Sequence, residues 1–445
     1  MAGTEVAASS AMPGGEIGRA ARAGILLVAA GGLTGILNLA FNVVVAREGG
    51  ATDYGDIGPL LTVVTVVGLL ATGFQYGIAR HAAVTARPPR ELLGPALRSV
   101  LPWAGSALLL AVLAWPLAGF LRLHSVVPVL LIAGLAALGV LGAAVSGLLV
   151  GLRHFRVIAA LGVGSALLRL ALGFFVGHGP GAVLLSLIAS LAAAAVTFFS
   201  GLAVLTLLLN PVRGATESPS RQVARAVTGR TGFAGSLVAG ALWATWGLPV
   251  LFARHLLSSG AAGDFAATQL VAGALIWGTA PIVTAFFPTI ARHRSRSAVI
   301  LGELATAAIA VFGAAVLTGV GPALIGRLYG AGFSEARPLI AVLALSATIT
   351  TCATFTAWAA LAGQAHVTGV IVALAVAGSA ELVWDIALAH GLFGLALGPG
   401  LSLLLGGVAF MVVGRRLPSI GGLVDEHHLD GHALELHEVA VSGER

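Results

Sequence analysis

"VVVAREGGATDYGD", Val43 to Asp56, and "VLFARHLLSSGAAGDFA", Val250 to Ala266, are two versions of one segment. In each, an apolar run closes on Ala-Arg, a glycine-containing turn follows, and an aspartate stands before the next apolar run. Arg47 pairs with Arg254 at a shift of 207 and Asp53 with Asp264 at 211, a few residues being inserted in the second turn. Further out, "IARH" at Ile78 to His81 recurs at Ile290 to His293, a shift of 212. The same shift lays "GLRHF" (Gly151, His154) on "GQAHV" (Gly363, His366), and His178-Gly179 on His390-Gly391. The matching pairs fall at corresponding ends of apolar runs, so the chain reads as six helices written twice. Six is even, so both halves enter a membrane in the same direction. That makes them parallel repeats about an axis along the membrane normal, an arrangement that encloses a cavity and supports alternating access. The alternative is a duplicated scaffold with no solute path.

The runs long enough to cross about 30 Å of hydrocarbon lie near 24–46, 57–79, 99–120, 126–149, 157–177 and 181–209, then 233–254, 267–288, 299–320, 338–362, 367–390 and 392–413. This predicts an all-α integral membrane protein of twelve spans. A leader occupies 1–23, an N-lobe 24–209, an inter-lobe linker 210–232, a C-lobe 233–413 and a disordered tail 414–445. All 24 basic residues are arginine. With the amino terminus inside, eighteen lie in cytoplasmic segments and five outside (Arg47, Arg122, Arg254, Arg327, Arg337), with Arg169 alone within a span. The positive-inside rule therefore puts both termini in the cytoplasm. The polar leader lacks a small-residue cleavage pattern, which predicts an uncleaved first span.

The chain is 58% hydrophobic and only 9% charged, with 61 glycines among 445 residues, well outside the range of soluble domains. Its net charge of +6 is scattered between apolar runs, not gathered into a phosphate-binding face, which argues against nucleic acid. The single cysteine, Cys352, excludes a disulfide framework and paired redox thiols. No metal site or cofactor is expected. In the tail, His428 and His432 stand at i, i+4 within "DEHHLDGHALELHE" (Asp425 to Glu438), but a solvated tail is the preferred reading.

Ionisable groups within a span are costly, so those that persist face a cavity or a partner. Arg169 in the fifth run, and Glu381 with Asp385 in the eleventh, are such groups. The two carboxylates share a helix face, and the shift of 212 lays Arg169 on Glu381, opposite charges at equal depth. A transport lining, a salt bridge and a lobe-internal charge pair all remain open. As a lining, Arg169 would take an anionic headgroup and the carboxylates a coupling proton or sodium ion. Asn38 and Asn42 in the first run, Gln75 in the second, Thr245 in the seventh and Gln269 in the eighth complete a candidate cavity. Interhelical hydrogen bonding is their alternative role. Arg80, Arg221 and Arg225 form a candidate cytoplasmic entry, with ordinary anchoring as the alternative.

A first span ending in "AR", "DYG" opening the second, "IARH" closing it, "GLLVGLRHF" after the fourth and "LYGAGF" before the tenth resemble the Wzx-type polysaccharide flippases. These belong to the multidrug/oligosaccharidyl-lipid/polysaccharide (MOP) exporter superfamily. The resemblance runs from about Gly24 to Val413. It implies a non-enzymatic, two-lobed transporter in a bacterial plasma membrane that flips an undecaprenyl-diphosphate-linked oligosaccharide by alternating access for surface polysaccharide biosynthesis. Its expected partners are that lipid, membrane lipids and polysaccharide polymerase or glycosyltransferases. Many relatives that flip the peptidoglycan precursor have fourteen helices, and this chain stops at twelve. The rival within the superfamily is a MATE-type organic-cation antiporter. Such proteins often carry an acid in the first span, which is lacking here. A membrane glycosyltransferase or polymerase is disfavoured, because no DxD motif or sizeable domain outside the membrane is present. As for the opening segment, Arg47 snorkelling outward, the Gly49-Gly50 turn, Thr52 or Asp53 as a cap and Tyr54 at the interface predict an external turn, one per lobe.

Overall fold

The computed structural model describes residues 14–84, 89–175, 181–208, 230–293, 296–330, 332–333, 336–363, 367–389 and 391–412. Among these there is no strand. The elements are α1 (Gly14–Val84), α2 (Pro89–Ala107), a 3₁₀ turn (Leu108–Ala111), α3 (Ala114–Phe120), α4 (Val127–Gly151), α5 (Phe155–Gly173) and α6 (Gly181–Leu208). The second half holds α7 (Arg230–Leu256), α8 (Ser259–His293), α9 (Arg296–Tyr329), α10 (Ala336–Gly363), α11 (Val367–Val383), a π-helical turn (Trp384–Leu388) and α12 (Gly391–Val412). The leader up to residue 13, most of the linker with Arg221 and Arg225, the tail with His428 and His432, and the Arg80 side chain lie outside the described residues.

Nine described helices are long and apolar enough to cross a membrane, and a bent pair, Leu92–Ala111 with Ala114–Phe120 at 56°, makes a tenth. The difference from twelve has a physical origin. The first two expected spans run as one helical stretch whose non-helical residue is Gly50, with φ 71° and ψ −179°, a conformation that only glycine adopts without strain. The two parts of α1 on either side of Gly50 are called its first and second arms. α3 is separated from α2 by a 3₁₀ turn, where the tighter winding redirects the axis.

The turn after α4 places Arg153 at φ 60°, a left-handed residue in a position that favours glycine. The His154 amide reaches back to the Leu149 carbonyl at 2.9 Å and so closes the helix end. Arg153→Gly is expected to raise thermal stability by about 1 kcal/mol, and a melting curve in detergent checks it.

We call the end of the bundle at Gly50 the far end, and the end where the first arm begins the near end. One apolar core joins the two halves of the chain at the far end. Phe41, Val45, Tyr54, Ile57 and Leu60 of α1 meet Trp246 and Val250 of α7, Phe265 and Val271 of α8, and Phe333 and Leu339 around α10. Toward the near end the core divides. Phe74, Ile78, Leu92, Ala144 and Leu148 pack within the first half, while Val238, Leu242, Phe355, Trp358 and Leu374 pack within the second. Burial follows the same division along single helices. On α8, residues 262–269 and 271–273 are buried, whereas Ala274, Trp277, Gly278 and Ala280 are exposed. On the first arm Phe41, Asn42, Val45 and Ala46 are buried, and Ala29, Gly32, Leu33 and Ile36 are exposed. The halves still touch toward the near end where Gly73 lies on the backbone of Ser236.

In hydrocarbon, bringing apolar faces together releases no water, so helices hold each other through close van der Waals contact and polar links. The far-end seam has both. Gly55 lies against the Ser259 carbonyl, and Gly263 against the Ala51 carbonyl, so closely that a Cβ on either would overlap the opposing backbone. Both pairs obey a shift of 208: Gly55 matches Gly263, and Ala51 matches Ser259. Residue i of one half meets j of the other, and the counterpart of i meets the counterpart of j, as in an interface with twofold symmetry.

Candidate functional site

The polar groups of the spans fall into three clusters. The first surrounds Arg169 on α5, whose nitrogen Nη1 donates to the Asn38 side-chain oxygen at 3.3 Å. Its guanidinium carbon lies 4.1 Å from the centre of the Phe41 ring, a cation–π contact. Asn42, one turn after Asn38, donates to the Asn38 carbonyl at 2.8 Å and accepts the Tyr54 hydroxyl at 3.2 Å. A continuous chain, Arg169–Asn38–Asn42–Tyr54, therefore links α5 to both arms of α1. Nε of Arg169 is buried without a hydrogen-bond partner. No carboxylate among the described residues lies against it; a phenol, amides and a ring surround the charge. The expected choice between a salt bridge to Glu381 and a separate role resolves against the salt bridge, because the Glu381 oxygens carry no partner.

The second cluster is the far-end seam. Arg254, at the end of α7, holds Asp56 through an Nη2–Oδ1 distance of 2.6 Å, with side-chain exposures of 6% and 20%. It also donates to the Arg122 carbonyl at 3.4 Å, and His255 stacks on Phe120 with ring centres 4.4 Å apart. Arg47 donates to the Arg327 carbonyl at 3.2 Å. The two repeat-related arginines thus make reciprocal contacts: Arg254 reaches the chain just after α3, and Arg47 reaches the end of α9. Tyr54 packs its ring 6.3 Å from both Tyr329 and Phe333. Tyr54 and Asp56, expected as an interfacial aromatic and a helix-start charge, are instead parts of the inter-half contact. Tyr54 is only 2% exposed. The repeat was the available signal, because a segment present once per half is suited to meet its own copy.

The third cluster lies in the second half. Glu381 on α11 and Asp385 in the π-helical turn are fully buried, and none of their four carboxylate oxygens has a hydrogen-bond partner. The Glu381 carboxylate rests on Gly398 of α12, where a Cβ would come within 2.6 Å of Oε1, and the Ser402 hydroxyl lies beside it. The π turn closes by Ala389 N–H to the Trp384 carbonyl at 2.7 Å, and the Trp384 indole donates to the Gly394 carbonyl at 2.8 Å. One extra residue in a helix turn shifts side-chain direction, a device common at functional sites.

The remaining cavity candidates are spent elsewhere. Thr245 donates to Ala241 of its own helix at 2.8 Å, and the Gln269 amide donates to the Trp246 carbonyl, tying α8 to α7. Gln75 is half-buried 21 residues beyond Tyr54, about 30 Å along the helix axis at 1.5 Å per residue, and does not join the Arg169 cluster.

The structure is similar to an inward-facing multidrug resistance MATE family transporter of the MOP superfamily, with a TM-score of 0.66 and 16% identity over 88% of this chain and 97% of that one. The outward-facing conformation of a MATE family transporter gives 0.57 and 15% identity over 89% and 94%. The lipid II flippase MurJ in its inward closed conformation gives 0.66 and 11% identity over 87% of each chain. At such identities the likeness establishes the fold, that of MOP superfamily transporters and flippases. A comparison with curated proteins gives no match. The family described as polysaccharide biosynthesis protein matches residues 20–293, well over half of the sequence, and the chain belongs to that family.

Proposed function

We propose that the chain carries a lipid-linked oligosaccharide, joined through a diphosphate to an undecaprenyl tail, across a bacterial plasma membrane by rocking its two halves. The observation that carries the reading is Arg169. A guanidinium inside the bundle, satisfied only by neutral groups and with a spare N–H, suits a diphosphate that arrives with its own negative charge. Asn38, Asn42 and Tyr54 stand beside it with groups that can exchange their mutual hydrogen bonds for sugar hydroxyls. A core that joins the halves at the far end and divides toward the near end favours a resting form open to the near side. The higher similarity to an inward-facing relative agrees. The arginine distribution makes the near end cytoplasmic, with both termini there. Glu381 and Asp385, buried without partners, are the seat for a coupling proton or sodium ion. The enzymes that build the sugar and the polymerase that uses it are the partners this role implies.

The test compares Arg169→Gln and Arg169→Lys with the parent in cells whose surface polysaccharide depends on the protein, and in vesicles loaded with a fluorescent undecaprenyl-diphosphate sugar. Loss of one charged hydrogen bond of about 2 kcal/mol predicts roughly a 30-fold fall in flipping for the glutamine variant, with partial activity for lysine. Normal flipping by a well-expressed Arg169→Gln protein overturns the assignment. An organic-cation antiporter is the second reading, favoured by the buried carboxylates. It requires Glu381→Gln to abolish cation efflux while Arg169→Gln leaves that efflux unchanged.

A further inference from the structure

At the far end, between the last turns of α9 and the start of α10, lies a cleft of about 440 Å³ lined by Pro322, Ala323, Gly326, Arg327 and Arg337. Its floor is apolar and its rim is cationic. Arg327 and Arg337 are both exposed, and Arg47 from the other half reaches the same place through its bond to the Arg327 carbonyl. Three of the five arginines assigned to this side of the membrane therefore converge on one cleft. The Arg337 guanidinium lies flat along α9, where a Cβ on Gly326 would stand 2.8 Å from its Nη2. Glycine at 326 leaves the room that lets this charge lie across the helix.

Simple snorkelling requires only that each arginine reach water, and it gives no reason for convergence or for a cleft beneath. An apolar trough at headgroup depth, rimmed by planar forked donors, matches a phosphate bearing a hydrocarbon tail. Guanidinium groups take phosphate oxygens in pairs, and the tail lies along the apolar surface below. We propose that this cleft binds the phosphate headgroup of a lipid in the leaflet bordering the far end. The site is separate from the Arg169 cluster and does not depend on what the protein carries. Because Arg47 belongs to one half and Arg327 and Arg337 to the other, a lipid held there bridges the seam.

The experiment titrates the purified full-length protein with three probes in native mass spectrometry: phosphatidylglycerol, undecaprenyl diphosphate, and diacylglycerol as the phosphate-free control. Arg327→Gln/Arg337→Gln removes the charges, Arg337→Gln alone is the milder version, and Gly326→Leu fills the cleft without changing charge. The expected result is a loss of about tenfold in affinity for a phosphate lipid in the double variant and in Gly326→Leu, with diacylglycerol unaffected. A loss shared by both phosphate lipids identifies a resident phospholipid site; a loss confined to undecaprenyl diphosphate identifies a station for the cargo after crossing. Unchanged binding of both phosphate lipids in the double variant overturns the proposal. This holds even if Arg169→Gln impairs flipping, so the two readings fail independently.

Discussion

Gly55→Val is expected to force the far end open. The glycine backbone lies on the Ser259 carbonyl, a contact that leaves no volume for any side chain, and its counterpart Gly263 does the same to Ala51. The opposing atoms are backbone and cannot rotate aside. Overpacking of this kind costs about 3 kcal/mol, which is roughly a 150-fold shift against the closed form. Spin labels at Thr52→Cys and Ser258→Cys, both exposed positions on opposite sides of the seam, would report the change in a protein whose Cys352 has been replaced. The expected distance distribution lengthens in Gly55→Val, and by less in Gly55→Ala. An unchanged distribution in a folded Gly55→Val protein would show that this seam is not what holds the far end closed. If Gly55→Val does not fold, Gly55→Ala carries the same comparison with a smaller shift.

Arg254→Gln is expected to weaken the same seam by a different route. It leaves Asp56, whose side chain is only 20% exposed, without its guanidinium, and removes the bond to the Arg122 carbonyl. Breaking a fully buried pair costs about 3 to 5 kcal/mol, and the partial exposure of Asp56 lowers this toward about 2. Asp56→Asn with Arg254→Gln should recover part of the loss, since neither partner then keeps a buried charge. The double-mutant cycle on the same spin-label distance measures the coupling. Strict additivity of the two single changes would mean the pair does not act as a latch. Arg47→Gln, which breaks only a bond from an exposed side chain to a carbonyl, should move the distance least.

The sequence made Arg169, Glu381 and Asp385 visible because an ionisable side chain among apolar residues needs no coordinates to be noticed. It also made the repeat visible, and the repeat predicted that the segments around Arg47 and Arg254 are equivalent. What they contact was not readable. Tyr54 and Asp56 carry the ordinary signature of a helix start at a membrane surface, and a residue at that boundary looks the same whether it faces headgroups or a second lobe. Gln269 and Thr245 show the converse. Polarity marked them as cavity candidates, but a polar side chain is equally well satisfied by a carbonyl of its own or a neighbouring helix.

Apolar runs of spanning length, few charges and a duplicated order of helix-end motifs determined by themselves that the chain is a helical membrane protein built of two related halves. Those properties follow from the hydrocarbon thickness and from local periodicity, which are written along one strand of text. Only the tertiary structure decided that Arg169 bonds Asn38 and not Glu381, that Arg254 closes on Asp56, and that the two copies of the opening segment meet each other at the far end. These pairings join residues up to 280 positions apart. They depend on which helix faces rotate toward the seam, and that is set by the packing of small residues such as Gly55 and Gly263, whose backbones can approach where no larger side chain would fit.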